Sequence, residues 1–412
     1  MNQRKDLLRQ KVLEEIDLSR DIDDQEIFDV IDQVILRYGQ EVYISMSDKL
    51  TLKKDIFNSI RRLDILQEFI EDTSITEIMV NGANNIFYEQ SGQLHQSKNR
   101  FESVQKLEDV VQQIVSQSNR IINEASPIVD SRLSDGSRVN IVLPPIALEG
   151  PIITIRKFPS KPITMEQLVA LESITVEVAA FLKQLVIAGY NIFISGGTGS
   201  GKTTFLNVLS NFIPSSERII TIEDSAELQI RNISNLVRLE VRNANSEGSN
   251  EVTIRDLIKT SLRMRPDRII VGEVRDEAAI DMLQALNTGH DGSLSTGHAN
   301  SPPDMLSRLE TLVLLGSEIP LLAVRRQIAS ALDIIVHLGR LRDRSRRLLE
   351  ITEVLNCVDG EILLNPIYTF EEQGEEAGKI IGSLIHKNHL TNIDKLYRAG
   401  LMGKEQSVDS GL

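Results

Sequence analysis

The stretch YNIFISGGTGSGKTT, Tyr190–Thr204, decides the fold. Inside it the spacing G-x-x-x-x-G-K-T runs from Gly196 to Thr203. The run Asn191–Ile194 reads as a buried strand, and Thr203–Phe212 places apolar residues at helical spacing, so the glycines fall where a strand turns into a helix. Phosphate needs that arrangement. Glycines let backbone N–H groups point inward around an anion, and the helix N-terminus adds partial positive charge. Gly196, Gly197, Thr198, Gly199, Ser200, Gly201, Lys202, Thr203 and Thr204 are therefore expected to cradle the phosphates of ATP. Lys202 would reach the β- and γ-phosphates, and the Thr203 hydroxyl would ligate Mg2+, which suits an oxygen-only, mostly hydrated site. A loop needing only flexibility has no use for Lys-Thr at its end.

The chain has 412 residues, enough for two domains and an accessory segment. A formal net charge of −14, no Trp and 4% aromatics argue against a dedicated or sequence-specific nucleic-acid binder, which needs a basic face and often stacking rings. The single cysteine, Cys357, permits no internal disulfide and no cysteine-built metal site. The N-terminal residues carry charge throughout, and no apolar run approaches the ~18–20 residues that span a bilayer. A cytoplasmic protein is expected, with any membrane association peripheral.

Along the chain, residues 1–62 show helical periodicity, with Ile27, Val30, Ile31, Val34 and Ile35 on one face, and read as a helical leader. Residues 63–158 change texture: short strand-like runs broken by Asn81-Gly82 and Ser91-Gly92 surround a helical stretch at Val104–Ser118, a mixed α/β domain. Residues 159–165, with Pro159 and Pro162, read as a stiff linker or hinge. Strand and helix alternate through 166–355, which predicts an α/β phosphate-loop core with a largely parallel sheet. Its strand candidates after the loop are Arg218–Ile222, Leu236–Val241, Arg268–Val271, Ser293–Thr296 and Asp333–Leu338. Residues 356–412 read as a short β segment, a charged Gly-rich turn and a final helical piece.

Four further segments bear on chemistry. IITIEDSAE places Glu223 at the end of a buried strand, where a carboxylate can orient and deprotonate a water attacking the γ-phosphate. RPDRIIVGEVR ends a second strand in Glu273, suited to the Mg2+ water shell. TGHDGSLSTGHAN holds His290 and His298 around a short strand; His298 follows the strand and suits sensing of the γ-phosphate, whereas the bland reading has both rings satisfying helix or strand ends. Arg138 and Arg156, upstream, could neutralise transition-state charge within a chain or across a subunit interface, although each alone is more often a surface strand residue. The basic run Arg340–Arg347 lies between two strand-like stretches and reads as a solvated hairpin tip.

The set GGTGSGKTT, TIEDSAEL, RMRPDRIIVGEVRDEAA and TGHDGSLSTGHANSP, in this order, resembles the secretion-motor ATPases of type II and type IV secretion and of type IV pili. DGSRVNIVLPPIALEGPIITIRKF and the tail from NPIYTFEEQG to LYRAG are most similar to the CpaF-type branch that powers Tad/Flp pilus assembly. The likeness covers about residues 65–400. It implies a RecA-like core, with Lys202 and Thr203 in the Walker A loop, Glu223 in the Asp box, Glu273 in the atypical Walker B and His298 in the His box. Arg138 and Arg156 match the N-domain arginines that contact nucleotide phosphates. The resemblance leaves open which carboxylate is the general base; Glu223 is taken as base and Glu273 as the Mg2+ partner. It further implies a homohexameric ring at the inner face of the cell membrane, working with platform proteins there. The four-cysteine zinc module common in pilus-extension and type II motors is missing, which steers away from those branches. The alternative is a type IV secretion or conjugation ATPase moving protein or DNA. A phosphotransferase or nucleotide-gated regulator is the reading from another class.

Overall fold

The computed structural model describes residues 2–17, 20, 22–117, 120–158, 162–242 and 250–402. The chain divides into two compact units, residues 1–160 and 161–412. Of the expected hinge, residues 159–161 lie outside the described residues.

The first unit opens with three helices, α1 (Asn2–Glu15), α2 (Asp24–Glu41) and α3 (Met46–Arg61). Asp23 and Ser45 cap α2 and α3 by accepting from Glu26 N and Asp48 N, satisfying donors that a helix start leaves orphaned. The stripe Ile27, Ile31, Val34 and Ile35 is buried against Leu8, Val12, Leu52 and Ile56, a small core of its own. A short helix α4 (Leu66–Glu71) leads into strands β1 (Ile75–Asn81), β2 (Asn85–Gln90) and β3 (Gln93–Gln96). Helix α5 (Val104–Ser116) and strands β4 (Ile128–Arg132), β5 (Arg138–Val142) and β6 (Ile152–Arg156) complete the unit. The six strands form one antiparallel sheet in the order β3-β2-β1-β6-β5-β4. Alternation decides its faces: Ile78, Val139 and Ile155 are buried with Leu107, Val111 and Ile114 of α5, and the residues between them face away.

The second unit begins with α6 (Met165–Ala170) and α7 (Val176–Ala188), then β7 (Ile192–Gly196) and α8 (Lys202–Ser210). It continues through β8 (Ile219–Glu223), β9 (Leu236–Glu240), α9 (Ile254–Ser261), β10 (Arg268–Val271), α10 (Ala278–Leu286) and β11 (Leu294–Gly297). Helices α11 (Pro302–Gly316) and α12 (Leu321–Ala331) precede strands β12 (Ile334–Arg340), β13 (Arg346–Val358), β14 (Glu361–Glu376) and β15 (Lys379–His386), and α13 (Asp394–Arg398) closes the unit. The nine-stranded sheet runs β15-β14-β13-β12-β7-β11-β10-β8-β9. From β12 to β9 all pairs are parallel; from β12 to β15 all are antiparallel.

The inner parallel strands β7, β8, β10 and β11 are buried at every position because both sheet faces are covered there. Alternate residues feed two separate cores: Ile192, Ile194, Ile219 and Ile270 enter one, and Phe193, Ile220, Ile222, Ile269 and Val271 the other. Each such side chain contributes about 1.5–3 kcal/mol by leaving water. Two features differ from expectation. Strand β13 runs across residue 355, so the C-terminal strands extend the same sheet. The supposed charged turn lies within β14 and its hairpin with β15, since a strand exposed on one face can carry glutamates there.

Candidate active site

The C-terminal ends of β7, β8, β10 and β11 gather the phosphate loop and three of the expected polar side chains. Between β7 and α8 the chain turns through Gly196–Gly201. Gly196 must be glycine: a Cβ there would lie 2.4 Å from the Leu338 carbonyl oxygen and 2.7 Å from Ser200 Oγ. Gly201 occupies the position before α8 with φ 96°, in the left-handed region, and gives that helix no side-chain cap. The flanking helices α7 and α9 are capped by Thr175 and Thr253. The start of α8 thus keeps its N–H groups for an outside acceptor.

Lys202 begins α8, is buried, and donates from Nζ to Gly197 O at 3.0 Å. Its Nζ also lies 3.3 Å from His298 Nδ1, and His298 Nε2 lies 3.0 Å from Glu273 Oε1. Lys202 can donate to Nδ1 of a neutral ring, while Glu273 Oε1, close to Nε2, accepts no hydrogen bond among the described residues. Burial, then the Lys202 charge, push the His298 pKa below its ordinary value, in keeping with that form. Burial likewise lowers the Lys202 pKa, and Glu273 opposes the shift. Glu273 is held from the other side by Arg275, whose Nη2 donates to Oε2 at 2.6 Å, and Arg275 Nη1 lies 3.6 Å from Asp224.

Glu223 ends β8 and is almost wholly buried, at 3% exposure. Its Oε2 accepts from the amides of Glu227 at 2.6 Å and Leu228 at 2.9 Å. Its Oε1 has no hydrogen-bond partner among the described residues. Burial raises its pKa against the pull of those two amides. Gly272, just before Glu273, gives Glu223 its room, since a Cβ there would lie 3.1 Å from Glu223 Cγ. Glu227 thus lends its backbone amide to Glu223.

These features suit a nucleoside triphosphate with Mg2+: uncapped helix amides, a buried ammonium at the loop, and a buried carboxylate oxygen lacking a partner. Thr203, in the first turn of α8, and Glu273 are the residues that would hold the ion. No group of three or more His, Cys, Asp or Glu able to hold a metal by itself occurs among the described residues, so phosphate oxygens and water would supply the remaining ligands.

The second histidine is elsewhere. His290 precedes β11, at the opposite end of that strand from His298, and its Nδ1 lies 3.0 Å from the Ala285 carbonyl oxygen at the end of α10. Arg138 and Arg156 belong to the first unit, where they face each other directly across β5 and β6. Arg132, missed in the sequence, continues that row opposite Arg138, and Glu77 ends it opposite Arg156. Also unforeseen is a buried pair beneath the loop, Ser195 Oγ and His337 Nδ1 at 2.9 Å, which joins β7 to β12. Burial lowers the His337 pKa.

Residues 61–374 match the family described as Type II/IV secretion system protein. The chain belongs to that family. A putative conjugal transfer protein of Mycobacterium tuberculosis is 36% identical over 304 residues, 72% of this chain and 86% of the relative. The probable conjugal transfer protein TrbB of Sinorhizobium fredii is 33% identical, over 74% of this chain and 91% of its own length. Protein VirB11 of Agrobacterium fabrum is 33% identical over 65% of this chain and 86% of its own length. Among solved structures, the ATPase DotB of Legionella pneumophila superposes with a TM-score of 0.50 at 23% identity, covering 70% of this chain and 79% of that one. The pilus retraction motor PilT with bound ADP gives 0.50 at 19%, covering 82% and 86%. Both share the α/β fold of this family member. Two of these relatives are named for conjugal transfer. No helix among the described residues is long and apolar enough to cross a membrane.

Proposed function

We propose that this chain hydrolyses ATP with Mg2+ as one subunit of a homohexameric ring, a motor of a type IV secretion or conjugation machine. The line Lys202–His298–Glu273 beside the buried carboxylate of Glu223 carries the reading. Lys202 binds the terminal phosphates, and the uncapped amides of α8 hold the rest. Glu223, one oxygen fixed by two amides and the other unpartnered, orients the attacking water and takes its proton; a raised pKa brings it closer to the operating pH. Glu273, held by Arg275 and close to His298, would take part in the Mg2+ water shell. Mg2+, when bound, neutralises charge between the β- and γ-phosphates. His298 touches both Lys202 and Glu273, so it reports phosphate at the first to the second.

In the same proposal, Arg138 and Arg156 of the first unit reach nucleotide phosphates within a chain or across the ring, and residues 159–165 act as the hinge. The ring sits on the cytoplasmic face of a membrane and meets its platform proteins there. Tad/Flp pilus assembly is the second reading, favoured by the strand-and-tail sequence from NPIYTFEEQG to LYRAG.

Two measurements test the motor. Phosphate release from ATP should need Mg2+ and vanish in Lys202→Ala, and light scattering after size exclusion should give a hexamer mass with nucleotide. A monomer with and without ATP would sink the ring. Unchanged hydrolysis by Lys202→Ala would sink the site.

A further inference from the structure

The basic run Arg340–Arg347 does form the mouth and tip of the β12–β13 hairpin, but that hairpin leans on the phosphate loop. Strand β12 pairs with β7 up to Leu338 opposite Gly196, so its continuation runs alongside the loop. Arg346 donates from Nε to the Gly199 carbonyl oxygen at 2.8 Å, and its Cδ lies 3.6 Å from where a Cβ on Gly201 would stand. Arg340 brings Nη1 within 3.9 Å of the corresponding position on Gly199.

Two of the other three arginines in the run are differently employed. Arg342 pairs with Glu372 and Glu375, and Arg347 with Glu172. Arg340 and Arg346 form no ion pair among the described residues, yet they are directly opposite one another in the hairpin register. Like charges in facing positions destabilise a strand pair, so this placement calls for an anion or a polarised carbonyl close by. The loop supplies the carbonyl.

We propose that Arg346 is a positioning residue for nucleotide binding, gripping the outer, carbonyl side of the phosphate loop, with Arg340 beside it as a second cation for the phosphates. This rests on the loop being the nucleotide site. In a trans peptide the C=O of Gly199 and the N–H of Ser200 point in opposite directions. Holding the carbonyl outward therefore aims the Ser200 amide inward, where its present contact with Gly197 O is long, at 3.3 Å. A cation on the carbonyl also polarises the peptide and strengthens that N–H as a donor. The grip links phosphate occupancy to the β13–β15 strands, because Arg346 is the first residue of β13.

The test titrates fluorescent mant-ADP and mant-ATP into the full chain. Loss of a hydrogen bond from a charged donor predicts that Arg346→Ala binds both about five- to tenfold more weakly. The same variant should raise KM by a similar factor with kcat within about threefold, a split that general loosening of the fold would not give. Arg346→Lys should recover part of the affinity, and Arg344→Asn, at the hairpin tip, should bind like wild type. ADP should slow hydrogen exchange of amides 341–347 in the wild type and leave them unprotected in Arg346→Ala. If Arg346→Ala misfolds by circular dichroism, Arg346→Gln is read by the same criteria. Binding within twofold of wild type, with unchanged exchange, overturns the proposal. If Lys202→Ala also binds like wild type, the nucleotide site itself is overturned, which is a separate outcome.

Discussion

Glu223→Gln separates chemistry from architecture at this site. The glutamine oxygen can accept the amides of Glu227 and Leu228, which now bond to Oε2 at 2.6 and 2.9 Å. Replacing a charged acceptor by a neutral one weakens each bond by about 1 kcal/mol. Removing a charge that burial disfavours offsets that loss, so net stability should stay within about 2 kcal/mol of wild type. Loss of a general base costs roughly 10²–10⁴ in rate, or about 3–5 kcal/mol of barrier. The activity effect is therefore the larger. Single-turnover phosphate release should fall at least a hundredfold while mant-ATP affinity stays near wild type. The acid limb of the wild-type kcat profile, set by the raised Glu223 pKa, should disappear. Stability shifts with pH as well. A raised folded-state pKa favours folding below the unfolded carboxylate range, and that contribution is lost as pH rises through the folded value. The melting temperature of Glu223→Gln should accordingly gain on wild type across that window. Turnover within threefold of wild type, with the acid limb intact, would refute Glu223 as base.

Glu273→Gln should bind ATP yet hydrolyse it far more slowly, and the Mg2+ needed for half-maximal rate should rise; wild-type turnover would remove Glu273 from the ion. Arg138→Ala should lower ATPase activity without lowering the melting temperature, and normal activity in an assembled ring counts against its reaching phosphate. Gly196→Ala forces a Cβ to 2.4 Å from the Leu338 carbonyl and should cost about 1–3 kcal/mol in denaturant melts together with nucleotide binding. An unchanged melt would mean that β12 gives way at no cost.

Local chemistry was legible wherever one short segment carried it. The run before Gly196 is buried at every position, and acids follow apolar strands at Glu223 and Glu273, so both site and sheet edge could be read directly. Relations set by sheet order could not. Ser195 and His337 lie 142 positions apart, and only the β7–β12 pairing brings them together. The contact of the arginine hairpin with the phosphate loop is hidden in the sequence, because charge density says nothing about which strand lies alongside. His290 and His298 sit in identical triplets, yet β11 carries one ring to the helix end and the other to the phosphate loop. Strand β14 is longer than its sequence pattern suggests because its exposed face is polar, and periodicity weakens where only one face is covered.

The loop-bearing strand has a mechanical meaning. Strand β7 is laced to β12 from Ile192 to Gly196 and to β11 from Ile192 to Ser195, so neighbours flank it on both sides. A force along its axis would load both ladders in shear, and several hydrogen bonds would have to fail together rather than one after another. The outermost strands β15 and β9, each held along a single side, can instead peel progressively. Under tension this unit should yield at its rims while the phosphate loop keeps its shape.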